Sequence, residues 1–265
     1  MSENDQSVIF DATQAGVAFL RLNRPDVHNA LNADLLARMN DILDELRGAD
    51  GVRCVFIEGM GKSFSAGADL DSMRKAADMT HADNLMDAER FAECFHRLST
   101  LPMPTIALVN GPAMGGGVGL VAACDIAVAS KAAFFSLSEV RLGLIPATIS
   151  PYVVEAIGPR QAKRYFTTAE RFDAEEAERI GLVHIVVEDK DALQNEAERL
   201  AKEILQNGPK AVHAAKQLID AVMWREIDHH LRHDTAKRIA DIRATDEGKE
   251  GTQAFLDKRK PKWAE

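Results

Sequence analysis

Short apolar runs alternate with longer amphipathic stretches through the first two thirds of the chain. A run of roughly four to eight apolar or β-branched residues is typical of a buried strand. Such runs predict strands at residues 8–10, 17–22, 54–58, 105–109, 126–129 and 182–187, with Gly16 in the turn between the first two. Because these strands alternate with helical patterns, the chain is predicted to adopt an α/β fold.

Helical spacing of apolar residues marks most of the segments between the predicted strands. Residues 117–123 predict a short, wholly apolar helix, whereas residues 71–83 show no apolar period and predict a mobile loop. Apolar positions 31, 35, 39, 42 and 46 predict a helix that ends near Gly48, and positions 85, 88, 91, 95 and 98 predict one that ends before Pro102 and Pro104.

The last third of the chain is predicted to be mainly helical. Ser150 and Pro151 start one helix, with proline at the first helical position. Residues 173–176 have the spacing of a capping box, before a helix that ends at Gly181. Beyond these residues the pattern stays helical, with breaks at 208–209 and around 245–248. We therefore predict a core over residues 1–190 and a helical region over 191–265, packed on the core or on a neighbouring subunit.

Composition and charge restrict the partners and the location. The chain has 265 residues, of which 46% are apolar, and a formal net charge of −9 with a pI near 5.4. This acidity argues against nucleic acid or an anionic membrane as the main partner. Cys54, Cys94 and Cys124 are widely and irregularly spaced, so we expect reduced thiols and neither disulfides nor a metal site. With no signal-peptide pattern and no membrane-spanning apolar run, we expect a cytoplasmic protein.

The candidate chemistry lies in a nearly uncharged segment. Between positions 104 and 140 the charged residues are Asp125, Lys131 and Glu139, and three consecutive glycines stand at 115–117. Glycines let a ligand approach the backbone closely, and a carboxylate in apolar surroundings usually has a raised pKa that suits proton transfer. These features predict chemistry on a carbonyl compound.

A second glycine-rich turn lies at residues 64–70, after the strand predicted at 54–58. Backbone amides that converge from two loops can hold a developing oxyanion, and a helix N-terminus reinforces them. Neither glycine cluster matches the phosphate-loop or dinucleotide fingerprints, so a phosphate-binding loop is disfavoured.

Three motifs carry a family resemblance: FSAGADL at 64–70, NGPAMGGGVGLVAACD at 110–125 and FSLSEVRLGLIP at 135–146. In order and spacing they resemble the crotonase (enoyl-CoA hydratase/isomerase) superfamily, and the resemblance extends from about Val17 to FLDKRKPKW at 255–263. The finer pattern resembles bacterial methylglutaconyl-CoA and carboxygeranoyl-CoA hydratases of leucine and terpenoid breakdown. It implies an α/β crotonase (ClpP-like) fold, a spiral of ββα repeats with a C-terminal helical trimerisation region.

The resemblance also implies roles for individual residues. The amides of Ala68 and Gly116 would form an oxyanion hole for a thioester carbonyl, and Glu139 would lie beside C2 of the acyl chain. The acyl-CoA substrate would be contacted by Ala66, Asp69, Leu70, Gly115, Gly119, Arg141 and Thr148. Coenzyme A would enter as part of the substrate, with no separate cofactor and no metal, and the subunits would form a homotrimer or a hexamer.

One departure from the family pattern leaves the reaction open. Hydratases of this superfamily usually have a second glutamate two positions after the glycine triplet, where this chain has Gly119. Hydration of a 2-enoyl-CoA, with its reverse dehydration, is the leading hypothesis. A single-glutamate isomerase, a decarboxylase of glutaconyl-type thioesters and, more remotely, a non-catalytic RNA-binding relative are the alternatives. Residues 147–150 replace a family glycine stretch and add the hydroxyls of Thr148 and Ser150.

Arg141 suggests a further hypothesis about the substrate. It lies two residues after Glu139, so an extended backbone would direct both side chains to one face. A guanidinium there could bind the distal carboxylate of a methylglutaconyl-type substrate, although an ordinary structural ion pair is the alternative.

Overall fold

A computed structural model describes residues 7–264 of the chain. Its main sheet has six strands in the order β1-β2-β3-β4-β6-β9. The strands are β1 (Val8–Ala12), β2 (Val17–Leu22), β3 (Cys54–Gly59), β4 (Thr105–Val109), β6 (Ile126–Ser130) and β9 (Ile185–Val187). Only the pairing of β1 with β2 is antiparallel in this sheet. A second sheet joins β5 (Ala113–Met114), β7 (Phe134–Ser136) and β8 (Phe172–Asp173).

Ten α-helices are found within residues 7–264. They are α1 (Ala33–Arg47), α2 (Leu70–Asp78), α3 (His81–Ser99), α4 (Gly116–Ala123), α5 (Ser150–Thr168), α6 (Ala174–Ile180), α7 (Lys190–Leu205), α8 (Pro209–Val222), α9 (His229–Ala244) and α10 (Asp246–Leu256). Short 3-10 helices lie at Pro25–Val27, Glu139–Leu142 and Lys262–Ala264. Within residues 7–264, no helix has both the length and the apolarity needed to cross a bilayer. The predicted α/β class is confirmed.

Alternate residues of the central strands enter two separate cores, as the two-residue period of a strand requires. Val55 and Ile57 point into the larger core, with α1, α3, α4 and α5, while Cys54 and Phe56 pack under α7. Helix α7 thus covers one face of the sheet, although it lies beyond the boundary drawn at residue 190. The division into 1–190 and 191–265 stays a prediction.

The loop predicted at residues 71–83 is wrong, because α2 and the start of α3 occupy it. Asp69 caps α2 by accepting from the amides of Asp71 and Ser72, and Thr80 caps α3. Helix α2 has no buried residue. Leu70, Met73 and Ala77 do stand at helical spacing along α2, although none of them is buried. The period spans only two turns interleaved with charged residues, so it is easily overlooked in the sequence.

Smaller differences concern the ends of elements. The apolar pattern places Leu31 in the first helix, but Leu31 instead forms an isolated β-bridge with Ala68. Helix α1 begins after its capping residue Asn32. Helix α5 is kinked at Gly158, where φ is 72° and ψ 159°. The break near 245–248 falls at Thr245, and a further break at residues 223–228 was not predicted.

Candidate active site

The first glycine-rich turn, residues 65–69, pairs with the segment 28–31. The amides of residues 66, 67 and 69 donate to His28 O, Ser65 Oγ and Leu31 O, respectively. The intervening amide, Ala68 N–H, donates to no acceptor within residues 7–264. A buried or half-buried amide normally has a partner, so this one is available to a ligand.

The second turn brings a free amide to the same place. Gly115, with φ at +47°, donates its amide to Ser136 O at 2.9 Å. The next amide, Gly116 N–H, opens helix α4 and finds no acceptor in the described chain. A Cβ on Gly67 would lie 3.2 Å from Gly116 N, so the two turns are in contact. The free amides of Ala68 and Gly116 are therefore neighbours, and the helix dipole of α4 favours negative charge between them.

Glu139 is the acid beside these amides. It begins the 3-10 helix Glu139–Leu142, and its Oε1 lies 3.0 Å from where a Cβ on Gly115 would stand. Its Oε2 is buried and has no hydrogen-bond partner among the described residues. Burial raises the pKa of Glu139, and a hydrogen bond with its own backbone amide only partly opposes this. A carboxyl group with a raised pKa is suited to exchange a proton with a substrate.

Two amide donors and one acid in this arrangement can stabilise an enolate. The amides would carry the negative charge that develops on a carbonyl oxygen, while Glu139 gives a proton to the adjacent carbon or takes one from it. Such an arrangement suits proton transfer at the carbon next to a carbonyl group.

Comparison with known proteins is consistent with this geometry. The sequence profile of the enoyl-CoA hydratase/isomerase family matches residues 12–265. The chain belongs to this family. It is accordingly an enzyme of the enoyl-CoA hydratase/isomerase class.

Individual members of the family match over nearly their whole length. The short-chain-enoyl-CoA hydratase of Clostridium acetobutylicum is 37% identical, with 92% of each chain covered. The crystal structure of an enoyl-CoA hydratase from Shewanella pealeana is 40% identical, with a TM-score of 0.94 over 98% of this chain and 97% of that chain. Pseudomonas aeruginosa AtuE is 35% identical, with a TM-score of 0.94 over 98% and 100% of the two chains. The predicted crotonase fold is confirmed.

Gly119 lies one helical turn beyond Gly115, where many hydratases of the enoyl-CoA hydratase/isomerase family have a second glutamate. A Cβ at Gly119 would lie 2.1 Å from Ile149 Cγ2 and 3.2 Å from Phe95 Cε1. Ile149 is 2% exposed and belongs to the larger core. The space for a side chain at position 119 is thus already filled by Ile149. No second carboxylate stands at this position, and Glu139 is the acid beside the two free amides.

The other residues predicted to contact the substrate differ in their exposure. Ala66 and Leu70 are exposed at the rim of the first turn, and Thr148 is half-buried before α5. The carboxylate of Asp69 caps α2 and pairs with Arg24 at 2.9 Å. Burial alone would raise the pKa of Asp69, but the hydrogen bonds from Arg24 and from two amides lower it. The side chain of Asp69 is therefore engaged within the protein.

The premise of the Arg141 hypothesis is wrong. Residues 139–142 form a 3-10 helix and not an extended strand, so Glu139 and Arg141 do not leave the backbone on one face. Arg141 Nη2 instead donates to Ala169 O at 2.9 Å, where Ala169 ends α5 with a positive φ. This contact supports a structural role for Arg141.

Sequence reasoning missed several residues that shape the site, namely Asn29, Leu31, Phe95 and Ile149. Leu31 and Phe95 were assigned only to helical stripes, yet both lie within 4 Å of where a Cβ on Gly116 would be. The sequence carries no local signal for this, since each contact joins distant segments.

Proposed function

We propose that the protein hydrates a 2-enoyl-CoA thioester, and dehydrates the product in the reverse direction. The observation that carries this proposal is the buried Oε2 of Glu139, without a partner among residues 7–264, beside the free amides of Ala68 and Gly116. The family and its hydratase members support the same reaction.

In the proposed reaction, the thioester oxygen accepts hydrogen bonds from both amides. Water adds its oxygen to C3, the electron pair of the C2–C3 double bond moves onto the thioester oxygen, and an enolate forms. Glu139 then delivers a proton to C2, and the carboxylate regains one from the added water. A pair of such amides supplies several kcal/mol, since loss of one oxyanion donor costs about 10²–10³ in rate in other enzymes.

For the acyl chain we propose a short substrate, with the branched 3-methylglutaconyl-CoA as the first candidate. Branching is supported only by the motif pattern at residues 115–121 and 137–151. A short chain is supported by relatives named short-chain-enoyl-CoA hydratase and crotonyl-CoA hydratase, the latter from Syntrophomonas wolfei and 36% identical. The reaction would need no cofactor besides the coenzyme A of the substrate.

Isomerisation of a 3-enoyl-CoA to the 2-enoyl-CoA is the second candidate. It is favoured by the apolar contact of Ile149 with Gly119, because moving a double bond needs one acid–base group and no bound water. A dienoyl-CoA isomerase from Dictyostelium discoideum is 31% identical over 92% of this chain and 86% of that relative.

Product mass after reaction in deuterated water separates the candidates. Crotonyl-, 3-methylcrotonyl-, 3-methylglutaconyl- and 3-enoyl-CoA would each be incubated with the enzyme and with Glu139→Gln. We expect the wild type to convert a 2-enoyl-CoA into a product heavier by one water, and Glu139→Gln to form little or none of this product. Double-bond migration without added water would establish the isomerase, and loss of carbon dioxide a decarboxylase. Turnover of none of the thioesters would refute the proposed function.

We further propose that the subunits assemble as a trimer or a dimer of trimers in the cytoplasm. Large apolar side chains of the C-terminal region support assembly. On α8, on α10 and in the segment 223–228, the side chains that are 61% to 90% exposed are Ile219, Trp224, Ile227, Phe255 and Leu256. The cytoplasmic location rests on the sequence pattern alone.

A further inference from the structure

Asn29 is a fully buried side chain beneath the first glycine-rich turn. Its Oδ1 accepts from Arg24 N at 2.8 Å, and its Nδ2 donates to Met60 O and Ser63 O at 2.9 Å each. Its backbone carbonyl accepts from Ser65 Oγ at 2.8 Å. A buried polar group that is fully bonded in this way fixes the segments around it.

The segment that Asn29 fixes is conformationally strained. His28 and Asn29 both have φ near 54°, in the left-handed region that costs a non-glycine residue about 1 kcal/mol or more. This bend presents the carbonyls of His28 and Leu31 to the amides of residues 66 and 69. The amides of residues 66 and 69 are thereby held on either side of Ala68, while the amide of residue 67 bonds to Ser65 Oγ. Ala68 N–H makes no hydrogen bond to the segment 28–31.

Arg24 makes a second connection to the turn. Its Nη1 lies 2.9 Å from Asp69 Oδ2, and the two side chains are 22% and 11% exposed. The other oxygen, Asp69 Oδ1, accepts from the amides of Asp71 and Ser72 at the start of α2. One carboxylate therefore ties the residue next to Ala68 both to Arg24 and to a helix.

We propose that the Arg24–Asp69 ion pair is a positioning device that directs the amide of Ala68 at the thioester oxygen. The inference rests on the proposed function in one respect, since it takes Ala68 as an oxyanion donor. The ion pair acts through the backbone and does not touch the reacting atoms. Its loss should therefore weaken transition-state stabilisation more than substrate binding.

Arg24→Gln tests this proposal against a matched control, Arg74→Gln. Arg74 and Asp71 both lie on α2 and form an ion pair at 2.6 Å, but their side chains are 78% and 76% exposed. We expect Arg24→Gln to lower kcat for crotonyl-CoA by about tenfold or more, with KM within about twofold, because small misplacements of catalytic groups are costly. Arg74→Gln should change neither constant, since exposed pairs contribute little. A rise in KM at unchanged kcat, or equal effects of the two variants, would refute the positioning role.

The infrared carbonyl band of bound butyryl-CoA gives a readout that general destabilisation would not move. Hydrogen bonds from the oxyanion hole shift this band to lower frequency, and we expect a smaller shift in Arg24→Gln and in Asp69→Asn. Asp69→Asn keeps an oxygen that can cap α2 but loses the charge facing Arg24. If Arg24→Gln does not fold, the kinetic and the infrared measurements are both made on Asp69→Asn. A band identical to that of the wild type in the folded variant refutes the proposal.

The two hypotheses fail separately. Butyryl-CoA is saturated and cannot be hydrated, so its carbonyl band reports on Ala68 whether or not the enzyme is a hydratase. Absence of turnover of every thioester of the panel by the wild type would refute the proposed function, while a diminished band shift in Arg24→Gln would still support the positioning role.

Discussion

Glu139 occupies an environment that is unfavourable for a charged carboxylate. A buried carboxylate oxygen without a partner in the described chain costs free energy of folding, because burial disfavours the charged form. Protein groups around it supply no cation in compensation, since burial and its own amide account for the shift in its pKa. In the proposed mechanism, the same environment would keep the proton of Glu139 available for C2.

Glu139→Gln should reduce kcat/KM by about 10²–10⁴, the range expected for loss of general acid–base catalysis. An amide has nearly the same shape but cannot exchange the proton. Steady-state kinetics on the best thioester of the panel would measure the effect, with circular dichroism as the check on folding. Near-normal turnover by a folded Glu139→Gln enzyme would remove Glu139 from the mechanism.

The raised pKa of Glu139 also predicts a pH dependence of stability. Between the pKa of the unfolded chain and the raised pKa of the folded state, the folded protein binds more protons, so its stability falls as pH rises. Glu139→Gln removes this term. Calorimetric Tm values should therefore favour the variant over the wild type increasingly as the pH rises above the ordinary pKa of a glutamate, about 4.3. A difference in Tm that is independent of pH would contradict the predicted shift.

The contact of Gly119 with Ile149 gives a second prediction at this scale. Alanine favours a helix over glycine by about 1 kcal/mol, but a Cβ 2.1 Å from Ile149 Cγ2 must displace core atoms. We expect Gly119→Ala to destabilise the wild-type protein by about 1–3 kcal/mol. The same substitution made in an Ile149→Ala background should destabilise the protein by less, because the obstructing side chain has been removed. Gly48→Ala is the control, since its nearest atom would be 4.0 Å away. Urea unfolding that shows no destabilisation by Gly119→Ala would contradict the packing.

At the scale of elements, the two helices beside the site differ in how they are held. Helix α2 has no buried residue and is fixed mainly by its cap, Asp69, whereas six residues of α4 are buried. We expect amides of α2 to exchange with deuterium through local opening, and those of α4 only through much rarer, larger openings. Hydrogen exchange followed by mass spectrometry would measure this, and equal protection of the two helices would contradict it.

At the scale of the whole molecule, the exposed apolar side chains of α8, α10 and the 223–228 segment predict assembly. Sedimentation equilibrium at micromolar concentration should give the mass of a trimer or hexamer, and Phe255→Ser, at a side chain that is 83% exposed, should weaken it. Lys237→Ser is a control at an exposed polar position of α9. A monomeric wild type would contradict this prediction.

The sequence by itself determined the features that depend on neighbouring residues. Apolar runs located β3 and β4, Asp173 and Gly181 marked the ends of α6, and the glycine triplet preceded a buried helix, as the structure has it. Strand periodicity, caps and positive-φ glycines are local properties, so a linear pattern is enough to reveal them. For the site, the motifs pointed to Ala68, Gly116 and Glu139, whose roles stay proposals.

The tertiary structure alone decided which of these groups meet and what surrounds them. That Ala68 N–H has no acceptor within residues 7–264, that Ile149 fills the space at Gly119, and that Arg24 pairs with Asp69 all depend on contacts between distant segments. The same holds for Arg141, whose partner Ala169 ends another helix. Such contacts are set by the packing of elements against one another, which no local pattern of side chains encodes.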